Sequence, residues 1–171
     1  MEYTFSNKWR PRAERGDKLM DAQATILVVD DSPENLQVLS AVLKEQYKVR
    51  VALNGERALA LSLADPQPDL ILLDVVMPGM DGYEVCKRLK AHAATASIPV
   101  LFVSSRDEEA DEALGLSLGA IDYIVKPIRP SIVQARVRNR LELKRSRDLL
   151  QRLTTQDHLT GISNRRRFDD F

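Results

Sequence analysis

Short apolar runs alternate with amphipathic stretches along most of the chain. The first run, TILVV at residues 25–29, is continuous and rich in β-branched residues, which is typical of a strand buried on both faces. The stretch that follows has Ser32 at the N-cap position and Pro33 at the first helical position. Its apolar residues recur at helical spacing, at Leu36, Leu39, Val42 and Leu43. The pattern therefore predicts a buried strand followed by an amphipathic helix.

The same alternation repeats four more times. It predicts strands at residues 48–53, 69–74, 98–105 and 122–125, and helices at 54–64, 82–92, 107–119 and from about Pro130. Strands that alternate with helices through short loops imply an open parallel sheet with helices on both faces. We therefore expect an α/β protein with a doubly wound, flavodoxin-like, five-stranded parallel sheet in the order 2-1-3-4-5, and an extended C-terminal helix.

The two ends of the chain have a different pattern from this core, which we place at residues 25–130. Residues 1–24 mix charges without periodicity and contain Pro11 and Gly16, so we expect a flexible N-terminal arm. After Ser131, neither Gly nor Pro occurs before Gly161. One helix of about 25 residues is possible there, which is longer than the usual ten to fourteen. We therefore expect the fifth helix to continue as a stalk over residues 131–156.

Composition and charge favour a soluble cytoplasmic protein. Apolar residues make up 44% of the chain and charged residues 29%, both ordinary for a globular domain. The 25 basic residues balance the 25 acidic ones, so no overall field favours nucleic acid. No apolar run approaches the roughly 18 residues needed to cross a bilayer, and we expect no membrane partner. The single cysteine, Cys86, excludes an internal disulfide.

Acidic residues follow two strands that the predicted sheet makes neighbours. Asp30 and Asp31 come directly after the first strand, and Asp74 ends the third. Strands one and three flank the topological switch point, where sites form in such sheets. Three carboxylates that meet there repel one another, and a hard divalent cation relieves that repulsion. We predict a Mg²⁺ site, because Mg²⁺ binds a few carboxylates and keeps water or phosphate oxygens as its other ligands.

Two further polar residues fall at the same edge. Ser104 ends the fourth strand, and Lys126 follows the fifth. A hydroxyl and an ammonium beside a metal and a carboxylate make a phosphoryl-binding pocket. Asp74 is then the natural nucleophile, because carboxylates accept phosphoryl groups as acyl phosphates. An isolated Asp after a strand is usually a helix cap or turn former. Five polar residues on one edge of the sheet, three Asp with a Ser and a Lys, instead favour a functional site.

Four segments carry a resemblance to a known family. The segments ILVVDDSPENLQVL, DLILLDVVMPGMDGYEVCKRLK, PVLFVSS and GAIDYIVKP resemble the receiver domain of two-component response regulators, over roughly residues 25–140. The resemblance implies that Asp74 is the phospho-acceptor. It also implies that Asp31 binds the metal directly, that Asp30 orients metal-bound water, and that the backbone carbonyl of Val76 is a further Mg²⁺ ligand.

The same resemblance implies a switch and a phosphoryl donor. Ser104 falls at the Thr/Ser switch position, and Lys126 at that of the lysine that pairs with phosphate. Tyr123 falls at the aromatic switch position, which turns inward when the switch hydroxyl moves toward the phosphoryl group. The implied donor is a phosphohistidine on a sensor histidine kinase or a phosphotransfer protein.

The predicted stalk carries an imperfect heptad pattern. Its apolar residues include Ile132, Leu143, Leu150 and Leu153, while Arg136, Asn139 and Ser146 stand at the intervening positions. Such a pattern favours a conditional coiled coil and hence a phosphorylation-dependent homodimer. Residues 134–152 carry seven Arg or Lys against two acids. We interpret this as a solvated stalk, because no recognition-helix context supports nucleic-acid binding.

The last fifteen residues, 157–171, resemble the start of a second domain. The stretch DHLTGISNRRRF is similar to the D-x-L-T-G-L-x-N-R-R-x-F opening of GGDEF domains, the diguanylate cyclases that join two GTP into cyclic di-GMP, with Ile162 in place of a leucine. The resemblance implies that phosphorylation regulates a cyclase in a longer parent protein. The chain contains no GGDEF or GGEEF sequence, so this fragment should have no cyclase activity.

Other functions remain open on the sequence alone. A stand-alone receiver or adaptor that acts only through protein contacts has the same site residues. A haloacid-dehalogenase-like phosphatase would need a second Asp two residues after Asp74, where this chain has Val76. A transcription factor would need a helix-turn-helix that the sequence does not contain.

Overall fold

The computed structural model describes residues 23–105 and 109–159, which form a five-stranded parallel sheet in the order β2-β1-β3-β4-β5. The strands are β1 (Thr25–Val29), β2 (Lys48–Ala52), β3 (Leu70–Leu73), β4 (Val100–Ser104) and β5 (Asp122–Val125). The predicted fold class is confirmed. The reversal of strand order between β1 and β3 creates the switch point at the carboxyl edge.

Five helices alternate with these strands. They are α1 (Pro33–Leu43), α2 (Gly55–Leu63), α3 (Gly82–Ala91), α4 (Glu109–Ser117) and α5 (Pro130–Leu159). Side chains cap three of the helices at their N-termini: Ser32 accepts from the Asn35 amide, Asn54 from that of Arg57, and Asp81 from that of Glu84. These caps satisfy amides that would otherwise lack partners, and they fix where each helix begins.

The sheet divides the core into two layers. Ile71 and Leu73 of β3 point into one apolar cluster, and Leu70 and Leu72 point into the other. The first cluster includes side chains of α2 and α3, and the second includes side chains of α1 and α5. The strands β1, β3 and β4 are covered on both faces, which explains why their sequences are almost continuous apolar runs.

Several elements are shorter than predicted. β3 ends at Leu73, so Asp74 is the first loop residue after it. β4 begins at Val100 rather than at residue 98. α4 ends at Ser117 because Gly119 has a φ of 94°, a left-handed conformation that stops a helix.

Helix α5 belongs to the core in its first half only. Val133, Val137 and Leu141 are buried in the same cluster as α1, whereas Leu143 is 60% exposed and Leu150 is 64% exposed. The core therefore reaches beyond residue 130, as far as Leu141, before the helix leaves it. Within residues 23–105 and 109–159, no helix is long and apolar enough to cross a membrane. Residues 1–22 of the expected arm, and residues 160–171 of the GGDEF-like segment, lie outside the described residues.

Replacing Leu141 by Ala should lower the free energy of unfolding by about 2–5 kcal/mol, because it leaves a cavity under α5. The matched control is Leu143→Ala, the same change two residues away on an exposed face, which we expect to shift stability by less than about 0.5 kcal/mol. Urea unfolding of dilute protein measures both variants. Equal losses would contradict the packing of α5 described above.

Candidate functional site

Three carboxylates meet where β1 and β3 end. The Asp74 amide donates to the carbonyl of Val29 at 2.8 Å, and the Asp30 amide donates to the carbonyl of Ala52 at 3.2 Å, so the strand ladders continue to the first residues of the site. Asp30, Asp31 and Asp74 each offer one carboxylate oxygen, and these oxygens lie within 4.8 Å of one another. Asp30 and Asp74 are buried, while Asp31 is exposed. The juxtaposition predicted from the sheet order is present.

Lys126 joins this cluster from the far side of the sheet. Its amide donates to the carbonyl of Ser104 at 2.7 Å, which fixes the start of the loop after β5. Its ammonium lies 2.8 Å from Oδ2 of Asp30 and 3.2 Å from Oδ2 of Asp74. One cation therefore bridges two buried carboxylates that belong to neighbouring strands.

The electrostatics of the cluster favour a further cation. Burial raises the pKa of Asp74, and the charge of Lys126 lowers it by less. Burial lowers the pKa of Lys126. Asp30 and Asp74 raise it through their hydrogen bonds to the ammonium and through their negative charges, and together they hold the pKa above its ordinary value. Lys126 is therefore a fixed positive charge. With three ionised carboxylates and one ammonium, the site carries a net charge of about −2, which a divalent cation neutralises.

The spacing of the carboxylates fits Mg²⁺. Ligand oxygens lie about 2.0–2.1 Å from Mg²⁺, so two oxygens on opposite sides of the ion are about 4.2 Å apart. The oxygens of the three acidic residues lie within 4.8 Å of one another, an upper bound that is close to this distance. Val76 lies in the adjoining loop, and its amide donates to Oδ1 of Asp74 at 3.3 Å. Its carbonyl as a metal ligand stays a prediction.

Asn35 also contacts the site, and the sequence analysis missed it. Its side-chain amide lies 3.1 Å from both Oδ1 and Oδ2 of Asp30, while the Ser32 amide donates to Oδ1 at 2.9 Å. These donors hold the Asp30 carboxylate in one orientation. In the sequence, the one indication was that Asn35 falls in the first turn of α1, five residues after Asp30. Helical periodicity alone does not show which side chains of that turn face the end of β1.

Ser104 and Tyr123 lie on adjacent strands beside the carboxylates. Ser104 is fully buried at the end of β4, and Tyr123 on β5 is 4% exposed. The Tyr123 ring packs against Phe102 with centroids 6.0 Å apart, so in this conformation it is turned inward. Their roles in switching stay predictions.

Tyr83, on α3, extends this aromatic group and was also missed. Its ring meets Phe102 edge-on at 5.4 Å, and its hydroxyl lies 3.1 Å from the carbonyl of Asp111 on α4. Burial, together with the neighbouring Tyr123 and Asp111, raises the pKa of Tyr83, so the hydroxyl stays protonated and donates. A continuous set of contacts therefore links α3, β4, β5 and α4 next to the acidic cluster.

Gly82 permits the close approach of α3 to Asp74. A Cβ at this position would lie 2.1 Å from the carbonyl oxygen of Asp74, a distance that no side chain allows. The Gly82 amide donates to the carbonyl of Val75 at 2.9 Å. Glycine is needed here because the backbone of the loop at Asp74 lies directly against the start of the helix.

Comparison with known proteins gives one consistent family. The model described as the response regulator receiver domain matches residues 26–138. A probable cyclic di-GMP phosphodiesterase of Vibrio cholerae is 44% identical over 138 residues, which cover 81% of this chain and 31% of that protein. The response regulator PleD of Caulobacter vibrioides is 42% identical over 140 residues, with the same shares of the two chains. The chain thus spans about a third of the length of these relatives.

Solved structures agree with the sequence relatives. A putative response regulator from Chloroflexus aurantiacus superposes with a TM-score of 0.67 at 36% identity, covering 70% of this chain and 98% of that one.

Replacing Lys126 by Met should lower the free energy of unfolding by about 3 kcal/mol without divalent cations, because two buried carboxylates lose their shared cation. Excess Mg²⁺ should restore part of that loss. Lys87→Met, on the exposed face of α3, is the control and should change stability by less than about 0.5 kcal/mol. Urea unfolding in EDTA and in Mg²⁺ measures both; a loss no larger than that of the control would contradict the bridging role of Lys126.

Proposed function

This chain belongs to the response regulator receiver domain family, and from that premise we propose that it is the phospho-acceptor receiver of a two-component system, with Asp74 as the acceptor. The observation that carries the proposal is the bridge from Lys126 to the buried carboxylates of Asp30 and Asp74 at the switch point of the sheet. Asp74 is the carboxylate that stands at the end of the central strand β3, with Asp31 and Asp30 beside it.

The proposed reaction moves a phosphoryl group from a histidine to Asp74. The donor is a phosphohistidine on a sensor histidine kinase or a phosphotransfer protein. A carboxylate oxygen of Asp74 attacks phosphorus as the P–N bond breaks, and the imidazole leaves with the electron pair of that bond. The product is an acyl phosphate on Asp74. Lys126 neutralises part of the charge on the phosphoryl oxygens in the transition state.

Asp30, Asp31, Asp74 and the carbonyl of Val76 are the residues that we propose hold Mg²⁺. When bound, Mg²⁺ neutralises charge on the oxygens of the transferring group. The protein's own part is to orient its ligands, since Asn35 and the Ser32 amide fix Asp30. Asp31, being exposed, can meet the ion from the solvent side.

The proposed switch uses Ser104 and Tyr123. The Ser104 hydroxyl donates to the phosphoryl group, and the inward position of Tyr123, which this structure already has, fills the space that this movement leaves, so that the face formed by α4 and β5 repacks. The packing of Tyr123 against Phe102 supports this proposal, because any shift of Ser104 on β4 reaches that pair directly.

We further propose that the receiver controls a diguanylate cyclase in a longer, cytoplasmic parent protein, which it activates by phosphorylation-dependent dimerisation. In this division, residues 1–24 form an arm, and the receiver core runs from residue 25 through residue 130 and on into α5 as far as Leu141. The rest of the fifth helix, to residue 156, is the stalk, and residues 157–171 are the start of the GGDEF domain. The resemblance of DHLTGISNRRRF to the GGDEF opening supports this output. The Vibrio cholerae relative, whose name concerns cyclic di-GMP, favours the same second messenger but raises its hydrolysis as a second candidate.

Acetyl phosphate with Mg²⁺ should add about 80 Da to the full chain, the mass of one phosphoryl group on one carboxylate. Asp74→Asn should abolish the addition, and EDTA should prevent it. Asp81→Asn, an exposed acid in the same region whose replacement still caps α3, is the control and should be modified normally. Intact-mass spectrometry measures each sample. Unchanged modification of Asp74→Asn would refute the assignment of the acceptor.

The parent protein should convert GTP to cyclic di-GMP, with a higher rate after treatment with beryllofluoride and Mg²⁺ than before it. Asp74→Asn in that protein should remove the stimulation but leave the basal rate. Liquid chromatography of the nucleotides measures synthesis and hydrolysis in one assay. Loss of added cyclic di-GMP would instead support the phosphodiesterase, and neither activity would support a receiver that acts only through protein contacts.

A further inference from the structure

The carboxylate of Asp30 meets donors on both of its oxygens. Oδ1 accepts from the Ser32 amide at 2.9 Å and lies 3.1 Å from the side-chain nitrogen of Asn35. Oδ2 lies 2.8 Å from the Lys126 ammonium and 3.1 Å from the same Asn35 nitrogen. A carboxylate offers about four lone-pair sites, two on each oxygen. These contacts therefore occupy the whole accepting capacity of Asp30 in this conformation.

The start of α1 directs Asn35 toward Asp30. Ser32 is the N-cap and Pro33 the first helical residue, so Asn35 is the third residue of the helix. The backbone amide of Asn35 donates to Oγ of Ser32 at 3.4 Å, which fixes this turn. A Glu or Gln at the third position commonly reaches back to the backbone amide of the N-cap. The shorter Asn35 side chain contacts the carboxylate of Asp30 instead.

The three carboxylates of the site are therefore unequal. Asp30 is 1% exposed, so solvent cannot readily replace a donor that it loses. Asp31 is exposed and open to an ion that arrives from solvent. Asp30 can bind such an ion directly only by giving up Asn35 or Lys126. The arrangement favours Asp31 and Asp74 as direct ligands and leaves Asp30 to act through water.

The number of available carboxylates separates two common divalent cations. Ca²⁺ takes about six to eight oxygen ligands in flexible geometry, whereas Mg²⁺ keeps several waters and needs only about one or two carboxylates. A third carboxylate that is free to turn toward the ion therefore benefits Ca²⁺ more than Mg²⁺. A carboxylate held in place by Asn35 is not free to turn.

We propose that Asn35 is a specificity-determining residue of the metal site. By occupying both oxygens of Asp30, it keeps this carboxylate from binding the ion directly, and the site thereby prefers Mg²⁺ to Ca²⁺. This inference rests on the proposed Mg²⁺ site and specifies how the chain selects its ion.

Titration of the full chain with Mg²⁺ and with Ca²⁺ tests this role. The preference is the ratio of the two dissociation constants, which the amide NMR signals of Asp74 and Val76 report. Asn35→Leu removes the donor at similar size and should lower the preference for Mg²⁺ at least about tenfold. Gln37→Leu removes an exposed amide from the same helix and should keep the ratio within about twofold.

The same spectra show whether each variant is folded. A merely structural role for Asn35 would weaken the binding of both ions alike, and an unchanged ratio would overturn the proposal. An original chain that binds Ca²⁺ as tightly as Mg²⁺ would overturn it as well.

Mn²⁺ provides a second measurement, because it takes the same oxygen ligands as Mg²⁺. Water-proton relaxation counts the waters that bound Mn²⁺ retains. If Asn35→Leu allows Asp30 to bind directly, the ion in that variant should retain about one water fewer than in the original chain. Gln37→Leu should retain the original number. Equal numbers of waters in all three proteins would contradict the exclusion of Asp30 by Asn35.

Intact-mass spectrometry after treatment with acetyl phosphate separates the two levels of inference. If Asp74 is modified but Asn35→Leu keeps the original ion preference, the role of Asn35 is wrong and the receiver function stands. If Asp74 is not modified but the preference falls as expected, the receiver function fails and the role of Asn35 stands. A chain that binds neither ion would overturn the Mg²⁺ site and this inference together.

Discussion

The bridge from Lys126 to Asp30 and Asp74 is the interaction on which the arrangement of the site depends. The three residues follow β5, β1 and β3, so one ammonium ties together the ends of three strands. A buried ion pair of this kind adds little net stability, because desolvation offsets most of the attraction. Its effect is on charge: one cation leaves the three carboxylates incompletely neutralised, and a divalent cation bound there would supply the positive charge that is still missing.

The surroundings of the site turn this local charge into a structural signal. Ser104 and Phe102 lie on the same strand, two residues apart, and Phe102 contacts the rings of both Tyr83 and Tyr123. Tyr83 in turn reaches the backbone of α4 through its hydroxyl. A movement of β4 therefore alters packing at α3, α4 and β5 together, because close-packed interiors transmit strain.

The sequence was sufficient for most of the fold, and for the place of the acidic residues, for one reason. Buried parallel strands are continuous apolar runs, and the sheet order then dictates which strand ends are neighbours, so Asp30, Asp31 and Asp74 could be brought together without coordinates. The contacts of Asn35 and Tyr83 could not be predicted in this way, because they depend on how α1 and α3 are rotated against the sheet.

The C-terminal boundary of the core, at Leu141 in α5, could not be predicted from the sequence either. Val133, Val137 and Leu141 repeat every four residues, but the repeat does not reveal which part of so long a helix lies on the sheet.

Helix α5 is one uninterrupted helix, so a change in its tilt at one end moves its other end. It begins four residues after Lys126 and runs for 30 residues to Leu159. The Lys144 ammonium lies 2.9 Å from Oδ1 of Asp69. The other carboxylate oxygen of Asp69 accepts from the amide of Thr25 at 2.9 Å. The helix therefore contacts the edge of the sheet that lies opposite the site. At 1.5 Å per residue, the fifteen residues that follow Lys144 extend the helix about 22 Å beyond this contact. A tilt of about 10° at this contact thus moves the far end of the helix sideways by about 4 Å, somewhat less than the 5.4 Å pitch of an α-helix.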